Sequence, residues 1–236
     1  MALCAGFIAL SGCTHMPSNH TDQAIDEDPL EPVNRIVFGF NKLVDNVLLR
    51  PITVAYRAIV PEPGREMVTN ALVNLYTPVV FGNSVLQGDP YNSFATMWRF
   101  ILNSTVGIGG AFDVASQAGL KNRPADFGQT MAMYGIGSGP YLVLPVIGPS
   151  NGRDATGRLV DAFMNPFNYV DEGFSYAMWG TGAIDARSNN MKLLDDIYRT
   201  SLDPYATFRS GYTQKRASDI RRAEAERAKS LEKAGF

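Results

Sequence analysis

The chain has 236 residues, a formal net charge of −2 and a pI near 5.7; that length can bury a core without covalent staples, and no overall basic field argues for nucleic acid. Both cysteines, Cys4 and Cys13, and both histidines, His15 and His20, sit near the start, so the chain from Thr21 onward holds neither thiol nor imidazole. That excludes from the body a disulfide framework, Cys- or His-based metal sites, and Ser-His or Cys-His nucleophilic catalysis.

In chain order, the first feature is an apolar run, Leu3 to Leu10, followed by Leu10-Ser11-Gly12-Cys13. The run is too short to span a bilayer, and the tetrapeptide resembles the lipobox of bacterial lipoproteins, which are cut before the Cys that then carries the lipid. Residues 1–12 are therefore predicted as a lipoprotein signal peptide and Cys13 as the lipidated residue, with 13–31 a polar, acidic tether. No basic residue precedes Leu3, so a start upstream of Met1 is expected. Thr14, not Asp, would occupy the second mature position, which by the same resemblance implies sorting to the outer membrane.

The body is predicted over 32–212. Val33, Ile36, Val37, Phe40, Leu43, Val44, Val47 and Leu48 fall at helical spacing behind Pro32, a first-turn proline. Pro51 should kink or end this amphipathic helix before a second apolar stretch, Ile52 to Val60, closed by Pro61-Glu62-Pro63-Gly64. No charge occurs between Glu66 and Asp89, or between Asp126 and Arg153, yet Asn, Thr, Gln, Gly and Pro interrupt both stretches too often for a spanning helix. Two readings remain: a soluble core rich in neutral polar groups, or a surface within the membrane with neutral polar residues around an internal water-filled space. Trp98, Trp179, Phe167, Tyr169, Phe174 and Tyr176 suit an interfacial belt and favour the second.

Two flexible, uncharged elbows stand out. Gly107, Gly109 and Gly110 form one; Gly135, Gly137, Gly139 and Pro140 begin the other, "YGIGSGPYLVLPVIGPSNGRD". The second is no phosphate cradle, because its spacing is G-x-G-x-G, it lacks G-K-[ST], and Pro140 removes a donor. Further on, Asp154, Arg158 and Asp161 share one helix face, where opposite charges can pair. The last segment, 213–236, is predicted as a charged helix or tail with Asp219–Arg222, Glu224–Arg227 and Glu226–Lys229 pairs and too few large aliphatics to belong to the core.

Together these motifs resemble the MlaA (VacJ) outer-membrane lipoproteins of the Gram-negative phospholipid-asymmetry system. The carrying residues are Asp28-Pro29-Leu30-Glu31 with Asn34-Arg35, Arg50-Pro51, Gln87-Gly88-Asp89-Pro90, and Arg99-Phe100 with Asn103 through Gly110. Phe127-Gly128 leading through Tyr134-Gly135, Gly139-Pro140-Tyr141, Leu144-Pro145 and Gly148-Pro149-Ser150 to Arg153-Asp154 completes the set. The resemblance implies an all-α fold: a ring of amphipathic helices lying in the membrane plane, with Gly/Pro-rich loops around a central channel. It implies no catalysis, no cofactor and no metal, but removal of mislocalised phospholipids from the outer leaflet and their passage to a soluble periplasmic carrier, with trimeric porins as partners. Gly135, Gly137, Gly139, Pro140, Gly107 and Gly109 are then the candidates for channel-side loops. A lipid-acting hydrolase using Asp113, Asp154 or Asp161, and a porin-associated structural lipoprotein, are the competing readings.

Overall fold

The computed structural model describes residues 28–235; the leader, Cys13 and the tether up to residue 27 lie outside the described residues. Helix α1 (Glu31–Val44) continues through a π-helical turn, Asp45–Leu49, into α2 (Arg50–Ile59). Pro51 therefore does not end the helix. It falls in the first turn of α2, where its missing N–H costs nothing, and the π turn before it absorbs the misfit.

Helices α3 (Glu62–Leu86) and α4 (Pro90–Thr105) form a hairpin turned by Gly88 at φ +64°, a conformation that favours glycine. Asp89 caps α4 by accepting from the Asn92 N–H at 2.9 Å. Short α5 (Val114–Gln117) and α6 (Phe127–Met133) follow. Next come two antiparallel strands, β1 (Tyr141–Leu144) and β2 (Gly148–Asn151), paired from Tyr141↔Asn151 to Leu144↔Gly148. The chain closes with α7 (Gly152–Met164), a 3-10 turn at Pro166–Tyr169, α8 (Glu172–Asn189), α9 (Met191–Thr200) and α10 (Pro204–Ala234). The helical fold expected from sequence is what forms. The hairpin is the one addition, and it lies inside the Gly/Pro-rich segment.

Element packing closes a circuit: α2 lies on α8, α8 on α3, α3 on α4, α4 on α10, α10 on β2, and β1 on α1, which runs on into α2. Within it, α6 and α7 pack on each other, and both reach α3. Gly128 and Gly157 make that crossing possible, since a Cβ on Gly157 would lie 2.5 Å from the Gly128 nitrogen. The apolar core proper is small. Tyr141, Val143 and Tyr205 are buried with Val37, Phe38 and Tyr212 against them, and the Phe38–Tyr205 rings meet edge to face at 5.7 Å.

Elsewhere the polarity is inverted. Among the described residues, buried polar and charged side chains far outnumber buried apolar ones, several of which are merely alanines. Of the stripe that sequence periodicity assigns to one helix face, Val33, Ile36, Phe40, Leu43, Val47 and Leu48 are exposed, with Ile36 at 74%, and only Val37 and Val44 are half-buried. Trp98, Trp179, Tyr169, Phe174 and Tyr176 are exposed as well. Exposed apolar residues alone are ordinary; a polar interior beneath them is the informative half of the observation.

Of the segment 213–236, expected as a charged helix or tail, residues 213–234 are helical, and the 212/213 boundary falls inside α10, which is continuous from Pro204 to Ala234. Arg216 ties it to Asp126 and Asp154, Glu226 pairs with Arg123 rather than Lys229, and the buried Ser230 hydroxyl accepts from the Tyr91 N–H. Counting large aliphatics overlooked this because the helix docks through charge and hydroxyl groups. Of the predicted pairs within it, Asp219–Arg222 is present at 3.0 Å.

Candidate functional site

A cavity of about 300 Å³ opens between α3, α4 and α8, at the lower end of the roughly 300–1,000 Å³ typical of small-molecule sites. Helix α3 supplies one face of it, Thr69, Leu72, Val73, Tyr76, Thr77 and Val80, spaced three or four residues apart. Thr96 and Arg99 of α4, Asn122 and Pro124 of the following loop, and Gly182 and Asp185 of α8 complete the wall. The lining is thus amphipathic: hydroxyls and one carboxylate beside aliphatic side chains. Thr69, Tyr76 and Thr77 come from the charge-free stretch between Glu66 and Asp89, where the sequence places neutral polar groups around an internal space. Arg99 belongs to a motif that carries the resemblance, but nothing in the sequence places it in a cavity wall, and Asp185 carries no signal that sets it apart from an ordinary surface charge.

Buried polar groups join the helices of the wall to one another and to the elements behind them. Arg99 donates to both Asp113 oxygens at 3.1 Å, and Asn103 and the Ser116 N–H bind the same carboxylate. Burial works against the Asp113 charge, but these donors outweigh it and hold its carboxyl below the usual range. Behind α3, Asn83 donates to Asp161 at 2.8 Å and accepts from Thr130, while the Phe127 N–H donates to Asp161. Burial dominates there and pushes the Asp161 carboxyl up. Arg216 grips Asp126 through two bonds of 2.7 Å and Asp154 through one of 2.9 Å. Burial again opposes the Asp154 charge, and Arg216, Tyr212 and Arg153 together hold its carboxyl low.

Asp154, Arg158 and Asp161 consequently do not pair along one face. Arg158 reaches the Pro149 carbonyl, and the two carboxylates point inward to other helices. Each aspartate weighed as a hydrolytic group, Asp113, Asp154 and Asp161, is committed to bonds that join helices.

The glycine candidates have conformational and packing roles. Gly135, at φ +83°, ends α6 as its left-handed cap: its N–H donates to Ala132 and the Ile136 N–H to Met131, the two bonds of a Schellman motif. Gly139 turns at φ +67°, Gly137 lies in open space, and the loop is pinned to the start of α7 by Gly152 N–H to Pro140 O and Arg153 N–H to Ser138 O. A Cβ on Gly107 would lie 2.3 Å from the Phe112 carbonyl, while Gly109 has a positive φ of +67°. None of Gly107, Gly109, Gly135, Gly137, Gly139 and Pro140 is among the residues lining the cavity.

The hairpin is held from outside by α1. Asn34 donates to the Tyr141 carbonyl at 3.0 Å and accepts from the Val143 N–H at 2.9 Å, and Asn41, two turns on, does the same for Leu144 and Val146. Val146 is thereby kept at φ +66°, exposed at the tip, a conformation costly for a β-branched residue.

Residues 26–219 match the family model described as MlaA lipoprotein. The chain belongs to the MlaA lipoprotein family. It is 38% identical over 218 residues to the intermembrane phospholipid transport system lipoprotein MlaA of Escherichia coli, covering 91% of this chain and 85% of that one. The protein of the same name from Haemophilus influenzae is 35% identical over 214 residues, 88% of this chain and 84% of the other. A solved structure reported as the structural basis for maintenance of bacterial outer membrane lipid asymmetry superposes with a TM-score of 0.73 at 36% identity, over 82% of this chain and 99% of that chain. The MlaA residues that carry the resemblance are largely the joinery of the fold. Asp28 accepts from Asn34 and Tyr205, Arg35 pairs with Asp203 at the start of α10, Arg50 pairs with Asp195, and Gly128 and Asp154 sit at the α6–α7 and α7–α10 contacts.

Proposed function

We propose that this protein is an outer-membrane lipoprotein, anchored through Cys13 and embedded in the periplasmic leaflet, that removes mislocalised phospholipids from the outer leaflet. It passes them through a channel that includes the cavity between α3, α4 and α8 to a soluble periplasmic carrier, while associated with trimeric porins, and it does no covalent chemistry on them. The observation that carries this reading is the inversion of polarity. A helical ring with apolar side chains outside and polar and charged groups inside suits helices lying in a leaflet around a wet interior. Among the described residues no helix is long and apolar enough to cross a membrane, which agrees with helices lying in its plane. The names borne by the E. coli and H. influenzae relatives support the same role.

Reconstitution of the lipidated protein in bilayers with the carrier, following labelled phospholipid, tests it. Transfer that depends on the protein is expected; none in the presence of both components overturns the reading. Release of fatty acid or lysolipid from the same vesicles would instead support a hydrolase. Cys13→Ala should leave the protein out of the outer-membrane fraction, and normal fractionation at unchanged mass would remove the anchor from the account.

A further inference from the structure

We propose that Asp185 makes the cavity selective for phospholipids whose headgroup ends in a primary ammonium, an ethanolamine ester, over net-anionic phospholipids whose headgroup carries no cation, such as a phosphoglycerol; this rests on the lipid-transfer reading above. Asp185 lines the cavity and is only 7% exposed. Its two partners are both neutral: the Thr69 hydroxyl donates at 2.7 Å and the Asn189 amide at 3.1 Å. Other buried carboxylates meet a guanidinium, Asp89 from Arg123 and Asp154 from Arg216. Asp161 also has neutral partners, but it is covered by Asn83 and the Phe127 N–H and is not part of the cavity wall. Asp185 is therefore the carboxylate that combines burial, a cavity-facing position and no cationic hydrogen-bond partner.

That combination has a direction. Removing a carboxylate from water is costly unless a cation replaces the lost hydration, and here the fold has already taken most of the water away. An incoming ammonium would recover the interaction at little extra desolvation of the protein. The rest of the wall suits the remainder of the ligand. From Thr69 to Val80 the cavity face of α3 extends about 16 Å at 1.5 Å per residue, with Leu72, Val73 and Val80 providing an apolar strip away from the carboxylate. Among the described residues the only cation in the wall, Arg99, is already paired with Asp113 at 3.1 Å. An anionic headgroup thus meets an unpaired negative charge and no free positive one.

The test is extraction from vesicles of equimolar dioleoyl phosphatidylethanolamine and dioleoyl phosphatidylglycerol by the full lipidated protein, with the bound or transferred lipids quantified by mass spectrometry. Wild type should favour the ethanolamine lipid about tenfold, the equivalent of ~1.4 kcal/mol and modest for a charge-assisted hydrogen bond. Asp185→Asn, whose one amide oxygen can keep the bond from Thr69 while that from Asn189 is lost, should keep total transfer but bring the ratio near one, and Asp185→Glu should restore part of the preference. Should Asn lower expression, the wild-type ratio decides alone: equal uptake of the two lipids overturns the selectivity. An unchanged ratio in Asp185→Asn overturns the role of this carboxylate. Transfer of neither lipid by wild type overturns the transport reading and this proposal with it, whereas transfer without preference leaves transport standing and removes only the proposal.

Discussion

Replacing Arg216 by Met keeps the length and apolar stem of the side chain and deletes its charge. In the structure that guanidinium, 15% exposed, bridges Asp126 on one side and Asp154 on the other, and so joins α10 to α6 and α7. Removing one member of a buried ion pair costs about 3–5 kcal/mol, because the partner charge stays buried and unmatched. Asp126 would retain its cap bond from the Gln129 N–H, and Asp154 its bonds from Tyr212, Asn151 and Arg153, which places the loss near the lower figure. With each kcal/mol worth about 2–4 °C in a domain of this size, thermal unfolding in detergent should shift down by about 6–12 °C. The acid limb of stability should change too. The Asp154 carboxyl is held below its unfolded value of ~3.9, so its contribution is full above that pH and is lost as pH falls through the lower folded value. Arg216→Met should flatten that limb. A shift under 2 °C with an unaltered acid limb would refute the claim that α10 is tied into the body by charge, and would return it to the status of a detachable tail.

Three further outcomes follow from the same geometry. Asn34→Ala should cost about 2–6 kcal/mol, since it strands the buried Tyr141 carbonyl and Val143 N–H at roughly 1–3 kcal/mol each, and hydrogen exchange at Val143 should accelerate if the hairpin is held as described. Gly157→Ala places a methyl 2.5 Å from the Gly128 nitrogen and 2.8 Å from its Cα; backbone cannot yield as a side chain does, so the loss should exceed the ~1–3 kcal/mol of ordinary overpacking, read by chemical unfolding. Burial raises the Asp161 carboxyl, so the native state holds a proton that the unfolded chain has lost just above pH ~3.9. Stability should therefore fall as pH rises through the folded value and level off beyond it, and Asp161→Asn should abolish that fall.

The sequence states the periodicity of α1 and the order of most helices plainly, because an amphipathic stripe reads the same whether it faces a core or a membrane. What periodicity cannot report is which side faces in. Ile36 and Phe40 are exposed, and the sign came instead from the charge-free stretches interrupted by Asn, Thr and Gln. The hairpin was hidden because a run such as Tyr141 to Leu144 is too short to distinguish strand from loop. What stabilises it, Asn34 and Asn41, lies about a hundred residues earlier in the chain. The cavity was half legible. Its threonines belong to a recognisable neutral stretch, but Asp185 gains its character only from what surrounds it, and that is a property of three helices meeting.

Inverted polarity also explains why this chain is built with so many specific polar joints. In a soluble domain, apolar burial supplies most of the driving force and tolerates loose geometry. Between elements that turn their large apolar side chains outward, that force distinguishes poorly between one packing and another. Register must then be set by groups that accept few alternatives: a bidentate Arg35–Asp203 pair, an Arg187 shared by Asp45 and Asp195, a glycine crossing at Gly128 and Gly157. The Asp, Asn, Arg and Gly positions that define the MlaA resemblance are of this kind. Each of them determines which helix meets which, and Arg99 does so from within the cavity wall, through its pair with Asp113.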